Sequence, residues 1–445
     1  MTRLFTTTAL ALTVAGGAHA DGHLVFPIGE GAFNWDSYNS FAEANDLSGA
    51  SLTISGPWTG ADADLVSNVL AYFEEATGAD VEYSGSDSFE SDFVIAAQAG
   101  NPPQIGAFPQ PGLMGDMARA GNLVPQPDGT GEWLQENYAA GESWVSLASV
   151  DDEVYGFPYK IDVKSLVWYV PEAFDEAGYE IPETLEALKE LTDQIVADGG
   201  TPWCIGLGSG AATGWPATDW VEDMLLRTAS PETYDQWVSN EIPFDDPAVV
   251  NAIEEFGYFA KNDDYVNGGA ASVASTDFRD SPAGLFSFPP ECYMHRQASF
   301  IPTFFPEGTE VGEDIDFFYF PAYEGEDLGQ PVLGAGTMFA ASVANDATAA
   351  FMEFLKTPIA HELWMAQSGF LTPYEAVNTE VFANDTQRAL NDVLLNATTF
   401  RFDGSDLMPS EIGAGIFWTS MVDFVSGESA EAAAAQVQDR WSGIQ

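Results

Sequence analysis

The side chains best suited to hold a ligand are three tryptophans that stand beside turns. Trp58, Trp215 and Trp418 lie next to glycine, proline or loop residues at the ends of predicted strands or helices. The electron-rich face of an indole ring attracts the C–H edges of a sugar ring and covers its apolar area. Other tryptophans lie within apolar runs and are expected in the core: Trp168, Trp203 and Trp364.

Catalytic and metal-ligating motifs are scarce. The chain has no Gly-Lys dipeptide, which excludes a phosphate-binding P-loop, and the glycines at 206–210 fit neither the dinucleotide fingerprint nor a serine-nucleophile elbow. His23, His295 and His361 are too scattered to predict a metal site or a nucleophile–base pair. We therefore expect no enzyme activity, no cofactor and no metal. Because carboxylates are abundant, a hydrolase pair is not excluded.

The net charge of the chain limits the classes of molecule that it can bind. The chain has 445 residues, of which 13 are Lys or Arg and 69 are Asp or Glu, giving a formal net charge of −56. Such a field repels nucleic acid and anionic lipid surfaces, so we expect neither as a partner. The few cations, such as Lys160, Lys164, Arg279 and Arg296, form no cluster in the sequence. A neutral or cationic small ligand fits this balance best.

The start of the chain predicts export. Residues 1–20 (MTRLFTTTALALTVAGGAHA) carry one arginine, an apolar stretch and a small-x-small ending, as in a cleavable signal peptide. No later run is long and apolar enough to span a membrane, and no cysteine near the cleavage point could take a lipid. Cys204 and Cys292 are the only cysteines, and in an exported protein the pair suits one disulfide, although two separate buried thiols are an alternative.

The elements that must position a site alternate between strand and helix. Leu52 and Ile54 mark a first strand, an apolar stripe from Val66 to Phe73 marks a helix, and Gly78 ends that helix. The pattern repeats through strands at 81–83 and 104–108 and helices at 89–99 and 113–120. This βαβαβ order predicts a parallel sheet, whose strand ends would bring the loops at 58–60, 86–88 and 108–110 to one edge.

A second lobe is expected beyond residue 160. The β-prone segment 155–169 is long enough to leave one domain and enter another, and 333–339 is a second crossing candidate. A helix at 185–195 and a strand at 201–207 would begin the second α/β lobe.

Several stretches occur in an order that resembles bacterial extracellular solute-binding proteins of the maltose-binding type. They are FEEATGADV at 73–81, AQAGNPPQI at 97–105, GNLV at 121–124, YGFPYKIDV at 155–163 and WYVPEAFDEAG at 168–178, followed by late blocks at 340–373 and 412–418. Gln104 stands where the family usually has aspartate, and Leu185 stands where it often has tryptophan. Within that family, the paired cysteines and GWPATDW at 214–220 look most like α-glucoside-binding proteins of ABC importers.

The resemblance implies a two-lobe α/β periplasmic binding protein fold with a sugar held in the cleft between the lobes. It suggests, with the strand-end positions, a set of ligand-binding residues: Trp58, Thr59, Asp87, Phe108, Gln110, Asp162, Trp215, Glu291, Gly336 and Trp418. The expected organisation is a signal peptide at 1–20, an N-terminal lobe at 21–160 plus 335–370, and a C-terminal lobe at 161–334 plus 371–445.

These observations lead to one functional hypothesis and two rivals. The hypothesis is a soluble, unanchored, monomeric periplasmic receptor that binds a neutral α-glucoside and presents it to an inner-membrane ABC permease. The rivals are a secreted glycoside hydrolase and a binding protein for a polyol or cationic osmolyte, in which the same aromatics would form a cation–π cage. The sequence does not distinguish among individual glucosides.

Overall fold

The computed structural model describes residues 24–139, 141–367 and 369–444, so the expected signal peptide lies outside the described residues. The strands are β1 (Ser51–Gly56), β2 (Asp80–Gly85), β3 (Ile105–Phe108), β4 (Ser149–Val150), β5 (Glu153–Val154), β6 (Gly156–Val163), β7 (Leu166–Tyr169), β8 (Met294–Arg296), β9 (Asp316–Tyr319), β10 (Pro331–Ala341) and β11 (Thr399–Phe402). The helices of the first part of the chain are α1 (Trp35–Ala44), α2 (Ala61–Thr77), α3 (Phe89–Gln98), α4 (Pro111–Arg119), α5 (Thr130–Asn137), α6 (Gly141–Ala148), α7 (Pro171–Ala177), α8 (Leu185–Ala197) and α9 (Trp215–Thr228). Those that follow are α10 (Pro231–Val238), α11 (Pro247–Ala260), α12 (Asp346–Leu355), α13 (Pro358–Met365), α14 (Asp385–Asn396), α15 (Gly404–Leu407), α16 (Trp418–Val425) and α17 (Ala430–Ile444).

The first lobe is built on a six-stranded sheet in the order β11-β10-β3-β1-β2, with β6 also paired to β10. Strands β2 and β3 flank β1 in parallel, as the βαβαβ pattern predicts. Leu52 and Ile54 are buried on β1, and Gly78 ends α2 in the left-handed conformation, with its N–H bonded to the Glu74 carbonyl. The local sequence pattern therefore matches the structure closely in this lobe.

The second lobe is built on a three-stranded antiparallel sheet in the order β8-β7-β9. Trp168 and Trp203 are fully buried, as is Trp364 in the first lobe, so the expectation that they pack in the core is confirmed. The predicted strand at 201–207 is wrong, because within this segment only Trp203 makes isolated bridges. Pro202 lacks an N–H and so cannot donate to a strand ladder.

Two adjacent strands join the lobes. Strands β6 and β10 pair antiparallel from Val163–Gly334 to Gly156–Ala340, and every residue of both is buried. Phe339 of β10 belongs to the core of the first lobe, whereas Leu333 belongs to that of the second. The two predicted crossing segments therefore lie side by side between the lobes.

The chain after β10 returns to the first lobe before it enters the second. The Ile161 N–H donates to the Leu371 carbonyl at 2.8 Å, and the Tyr374 ring lies 5.0 Å from that of Trp133. Asn378 also bonds the first lobe: its backbone N–H donates to Glu362 at 2.8 Å and its side chain donates to the Ala32 carbonyl at 2.7 Å.

Cys204 and Cys292 form a disulfide, which confirms the first of the two expectations for the cysteines. Their Cα atoms are 5.6 Å apart and the two residues are separated by 88 positions in the chain. The bond ties the loop after α8 to the residues before β8. A loop of this length stabilises a fold by about 4 to 5 kcal/mol in the chain-entropy model.

None of the helices in the described part of the chain combines the length and apolarity that a bilayer crossing requires.

Candidate functional site

A cleft lies where the two lobes and the crossing strands meet. Its volume is about 930 Å³ when the solvent space out to its open mouth is included. The first lobe contributes the loops after β1, β2 and β3, as the parallel strand order predicts. The crossing strands line the middle, and α9, α15, α16 and the loop around residue 279 line the opposite wall.

The structure brings most of the predicted ligand-binding residues to this cleft. Seven of the ten line it: Trp58, Asp87, Gln110, Asp162, Trp215, Gly336 and Trp418. A Cβ on Gly336 would come within 2.7 Å of the end of the Ile161 side chain, so glycine lets β10 lie close to β6 without a shift of that side chain. Whether these residues contact a ligand stays a prediction.

Three predicted residues do not line the cleft. Phe108 is the last residue of β3 and points into the core, where its ring lies 4.8 Å from that of Phe93. Glu291 is exposed beside the disulfide, and its backbone N–H donates to the Gly284 carbonyl. The Thr59 hydroxyl donates to Asp87 at 3.1 Å instead of lining the cleft.

Aromatic rings form both walls. Trp58, on the first lobe, meets Trp364 edge to face with ring centroids 5.0 Å apart. Trp215, on the second lobe, packs in the same way on Phe278 at 4.9 Å. A Cβ on Gly214 would collide with the Trp418 carbonyl, so Trp215 and Trp418 are close neighbours. Trp364 and Phe278 restrict the side chains of Trp58 and Trp215, so these two rings would lose little side-chain entropy when they stack on a ligand.

Trp418 begins α16, directly after a π-helical turn at Ile412–Phe417. Such turns are rare within helices and occur frequently at functional sites. The indole is buried, and its Nε1–H donates to no partner in the described part of the chain. Trp418 also lines the cleft.

The cations of the cleft are already neutralised by the protein. Lys160 Nζ donates to both oxygens of Asp162, at 2.7 and 2.8 Å. Lys164 Nζ bonds Asp219 at 2.7 Å and also contacts Asp403. The sequence shows no clustering of these lysines, but β6 and the residue after it bring both into the cleft. Since each lysine has a carboxylate partner, neither provides an open anion site.

Buried polar atoms without a partner converge on the cleft. Asp62 Oδ1, Gln110 Oε1 and Asp219 Oδ2 are acceptors, and none of them finds a donor among the residues that the structure describes. Trp418 Nε1 is the corresponding donor. Buried polar atoms in native proteins are nearly always hydrogen-bonded. Among the described residues, the cleft thus holds three unpartnered acceptor oxygens and one unpartnered donor.

Burial shifts the titration of these carboxyls. It raises the pKa of Asp62 to about 6 against the opposing charge of Lys160, and that of Asp219 to about 7 against Lys164. The pKa of Asp406 is also raised by burial and by the neighbouring Asp403. Burial acts in the same direction on Asp403, but the Lys164 ammonium holds the pKa of that carboxyl below its usual value. The cleft thus contains acceptors that lose their protons near neutral pH.

Sequence reasoning missed several of these groups. Asp62 lies in the first turn of α2, just beyond the predicted loop at 58–60, and Asp219 lies four residues after Trp215 on one face of α9. Their positions in the sequence could therefore have identified both residues as candidates for the cleft. Asp403 and Asp406 follow β11, for which the sequence showed no pattern, so nothing local marked them.

Comparison with known proteins places the chain in one group. Residues 56–362 match the model of a family described as bacterial extracellular solute-binding protein. The chain is 60% identical over 428 residues to the alpha-glucosides-binding periplasmic protein AglE of Rhizobium meliloti, covering 95% of this chain and 93% of that protein. It is 41% identical over 394 residues to the osmoprotective compounds-binding protein GgtB of Synechocystis, covering 88% and 92%.

Solved structures share the fold. The bacterial solute receptor AcbH superposes with a TM-score of 0.75 at 18% identity, covering 89% of this chain and 99% of the receptor. At that identity the likeness concerns the two-lobe architecture.

Proposed function

The chain belongs to the bacterial extracellular solute-binding proteins, and from that premise we propose that it captures a neutral α-glucoside in the cleft for an ABC importer. The name of AglE, an alpha-glucosides-binding periplasmic protein that is similar over nearly the whole chain, supports this ligand class. We further propose that the protein acts in the periplasm as an unanchored monomer and presents its closed form to an inner-membrane permease.

The observation that carries the proposal is the excess of unpartnered acceptors between aromatic walls. Asp62, Gln110 and Asp219 each offer a buried oxygen, whereas Trp418 offers the single matching donor. A pyranose supplies hydroxyl donors on its rim and C–H faces for the rings. Hydroxyls bonded to ionised carboxylates form charge-assisted bonds, which are roughly twice as strong as neutral ones.

The charge of the lining supports an uncharged ligand. Seven carboxyl groups line the cleft against three cations. An anionic sugar would meet repulsion, since the two lysines are paired within the protein. A neutral sugar avoids that cost.

Binding is proposed to close the lobes by rotation at the crossing strands. The hinge lies near residues 159–163 and 334–336, where β6 and β10 pair. We retain the expected bounds of 21–160 and 335–370 for the first lobe, and extend it through Asn378 because residues 371–378 contact that lobe. A ligand that contacts both lobes favours the closed population.

A binding protein for an osmolyte is the second candidate. GgtB is named for osmoprotective compounds, and the negative lining also tolerates a cation. Ring faces in the cleft would then contact a quaternary ammonium group.

Isothermal titration calorimetry separates these candidates. The panel comprises maltose, trehalose, sucrose, a glucosylated polyol, glycine betaine and a β-glucoside. We expect micromolar or tighter binding of at least one α-glucoside and none of betaine. Binding of betaine alone would favour the osmolyte candidate, and binding of neither class would refute the proposal.

A matched variant pair tests the site. Trp215→Ala removes a half-buried ring of the cleft, whereas Trp133→Ala removes a half-buried ring outside it. Only the first should weaken sugar binding, by about tenfold or more, since a stacked ring contributes about 0.5 to 1.5 kcal/mol beyond its buried area. Equal losses would reject the assignment.

We propose no catalysis, in keeping with the binding proteins to which the chain is similar. Carboxylates on both walls make the hydrolase rival testable. Incubation of the purified protein with each glucoside, followed by glucose assay, should yield no release above that of the Asp62→Asn variant. Release of many equivalents of glucose per protein would establish an enzyme instead.

A further inference from the structure

Four polar side chains meet across the mouth of the cleft. Asp87 and Thr59 belong to loops of the first lobe, and Arg279 and Asp277 to a loop of the second. Arg279 Nη2 lies 2.5 Å from Asp87 Oδ1, and the Thr59 hydroxyl donates to the same oxygen at 3.1 Å. Asp87 and Arg279 belong to different lobes, so this ion pair exists only when the lobes are together.

Each partner is held in place by its own lobe. The Arg279 guanidinium lies 4.5 Å from the Phe278 ring centroid, and its Nη1 contacts Asp277 Oδ2 at 3.2 Å. The Arg279 backbone N–H donates to Asp277 as well, at 2.9 Å. Because stacking and these bonds already restrict Arg279, its ion pair with Asp87 costs less side-chain entropy than an ordinary surface ion pair does.

The ion pair between Asp87 and Arg279 lies at the rim of the cleft, not in its interior. The side chains of Arg279 and Asp87 are 22% and 42% exposed, yet both residues also line the cleft. They therefore face solvent on one side and the bound ligand on the other. The lobes cannot separate at this edge without breaking the ion pair.

We propose that Asp87 and Arg279 form a latch that holds the lobes closed over the ligand, and that they are positioning residues, not contacts that recognise the sugar. This inference rests on the proposed function and reassigns Asp87 and Thr59 from sugar binding to closure. Arg279 is the one cation of the lining whose carboxylate partner comes from the opposite lobe among the pairs described.

The latch acts with a second contact. Asp116 of α4 accepts hydrogen bonds from the backbone and side chain of Ser410, at 3.1 and 2.7 Å, between α4 and the segment after α15. Loss of the latch alone should therefore loosen closure without abolishing it. Exposed ion pairs are weak, so we expect ligand release to accelerate about two- to fivefold.

The test uses stopped-flow release of a bound α-glucoside from four proteins: wild type, Asp87→Asn, Arg279→Gln and the double variant. Each single variant should speed release about two- to fivefold, the double variant should release no faster than either, and association should change little. Arg279→Lys, which keeps the charge, should recover part of the loss. Arg388→Gln, which removes an exposed ion pair confined to α14, is the matched control and should have no effect.

Salt dependence provides a further readout. Salt weakens the ion pair between Asp87 and Arg279, but it also weakens the repulsion between two acidic lobes. The informative quantity is therefore the difference in ligand release rate between wild type and Arg279→Gln. That difference should shrink between 50 mM and 1 M NaCl, as the screening length falls from above 10 Å to about 3 Å.

Small-angle scattering of the unliganded proteins separates this inference from the proposed function. Arg279→Gln should have a larger radius of gyration than wild type, and Arg388→Gln should not. If no saccharide binds wild type, the proposed function fails while scattering still decides the latch. Additive effects of the two single variants, or a large loss in Arg279→Gln alone, would overturn the latch and make Arg279 a direct ligand contact.

Discussion

Replacement of Asp62 by asparagine should stabilise the unliganded protein and weaken sugar binding. Asp62 is 7% exposed, one of its oxygens has no partner in the part of the chain that the structure describes, and burial raises its pKa to about 6 from 3.8. An ionised carboxylate in this position is therefore disfavoured until a ligand hydroxyl donates to it.

The magnitude follows from the pKa. A raise of about two pKa units corresponds to about 3 kcal/mol, since each unit is 1.36 kcal/mol. Because the folded pKa lies above the unfolded one, the favourable contribution of the protonated Asp62 is fully present below about pH 4 and is lost as the pH rises through about 6. Asp62→Asn removes this loss, so its advantage in unfolding free energy over wild type should grow to as much as about 3 kcal/mol between pH 4 and pH 7.

Urea unfolding of both proteins at pH 4, 5, 6 and 7 measures this difference. Asp64→Asn is the matched control, because Asp64 lies in the same first turn of α2 but is exposed. It should show no gain that depends on pH in this way. A constant difference between Asp62→Asn and wild type across the range would refute the reasoning, as would unchanged affinity of Asp62→Asn for the sugar at pH 7.

Three further perturbations test the cleft, the disulfide and the surface charge. Wild-type affinity for a neutral glucoside should rise from pH 6 to 8 as Asp219, with a pKa of about 7, ionises and accepts hydrogen bonds from sugar hydroxyls. Calorimetry of Asp219→Asn should show an affinity that changes less with pH. The same pH dependence in both proteins would exclude Asp219 as an acceptor for the sugar. Replacing Cys204 and Cys292 together by serine should lower the unfolding free energy by up to about 5 kcal/mol in urea titrations. Sugar affinity should persist, because neither residue lines the cleft. Equal stability of the two proteins would contradict the chain-entropy argument. Raising NaCl from 50 mM to 1 M should raise the Tm in differential scanning fluorimetry, since a formal charge of −56 repels itself; a Tm independent of salt would count against that repulsion.

The sequence by itself determined the elements of the first lobe and the crossing strands. Leu52 and Ile54 alternate on β1, and Gly78 adopts the left-handed conformation that ends α2. Such signals act over a few residues, because side-chain periodicity and helix termination are local. The pattern at 201–207 failed for the opposite reason: the ladder there depends on partners at Val266 and Met294, which lie far along the chain.

The tertiary structure alone decided which groups share the cleft. Lys164 meets Asp403, a partner 239 positions away, and Arg279 meets Asp87 across the two lobes. The direction of the Phe108 side chain, into the core, was likewise set by the packing of Phe89 and Phe93. Coulomb attraction and desolvation depend on distance through space, and no spacing along the chain encodes that distance.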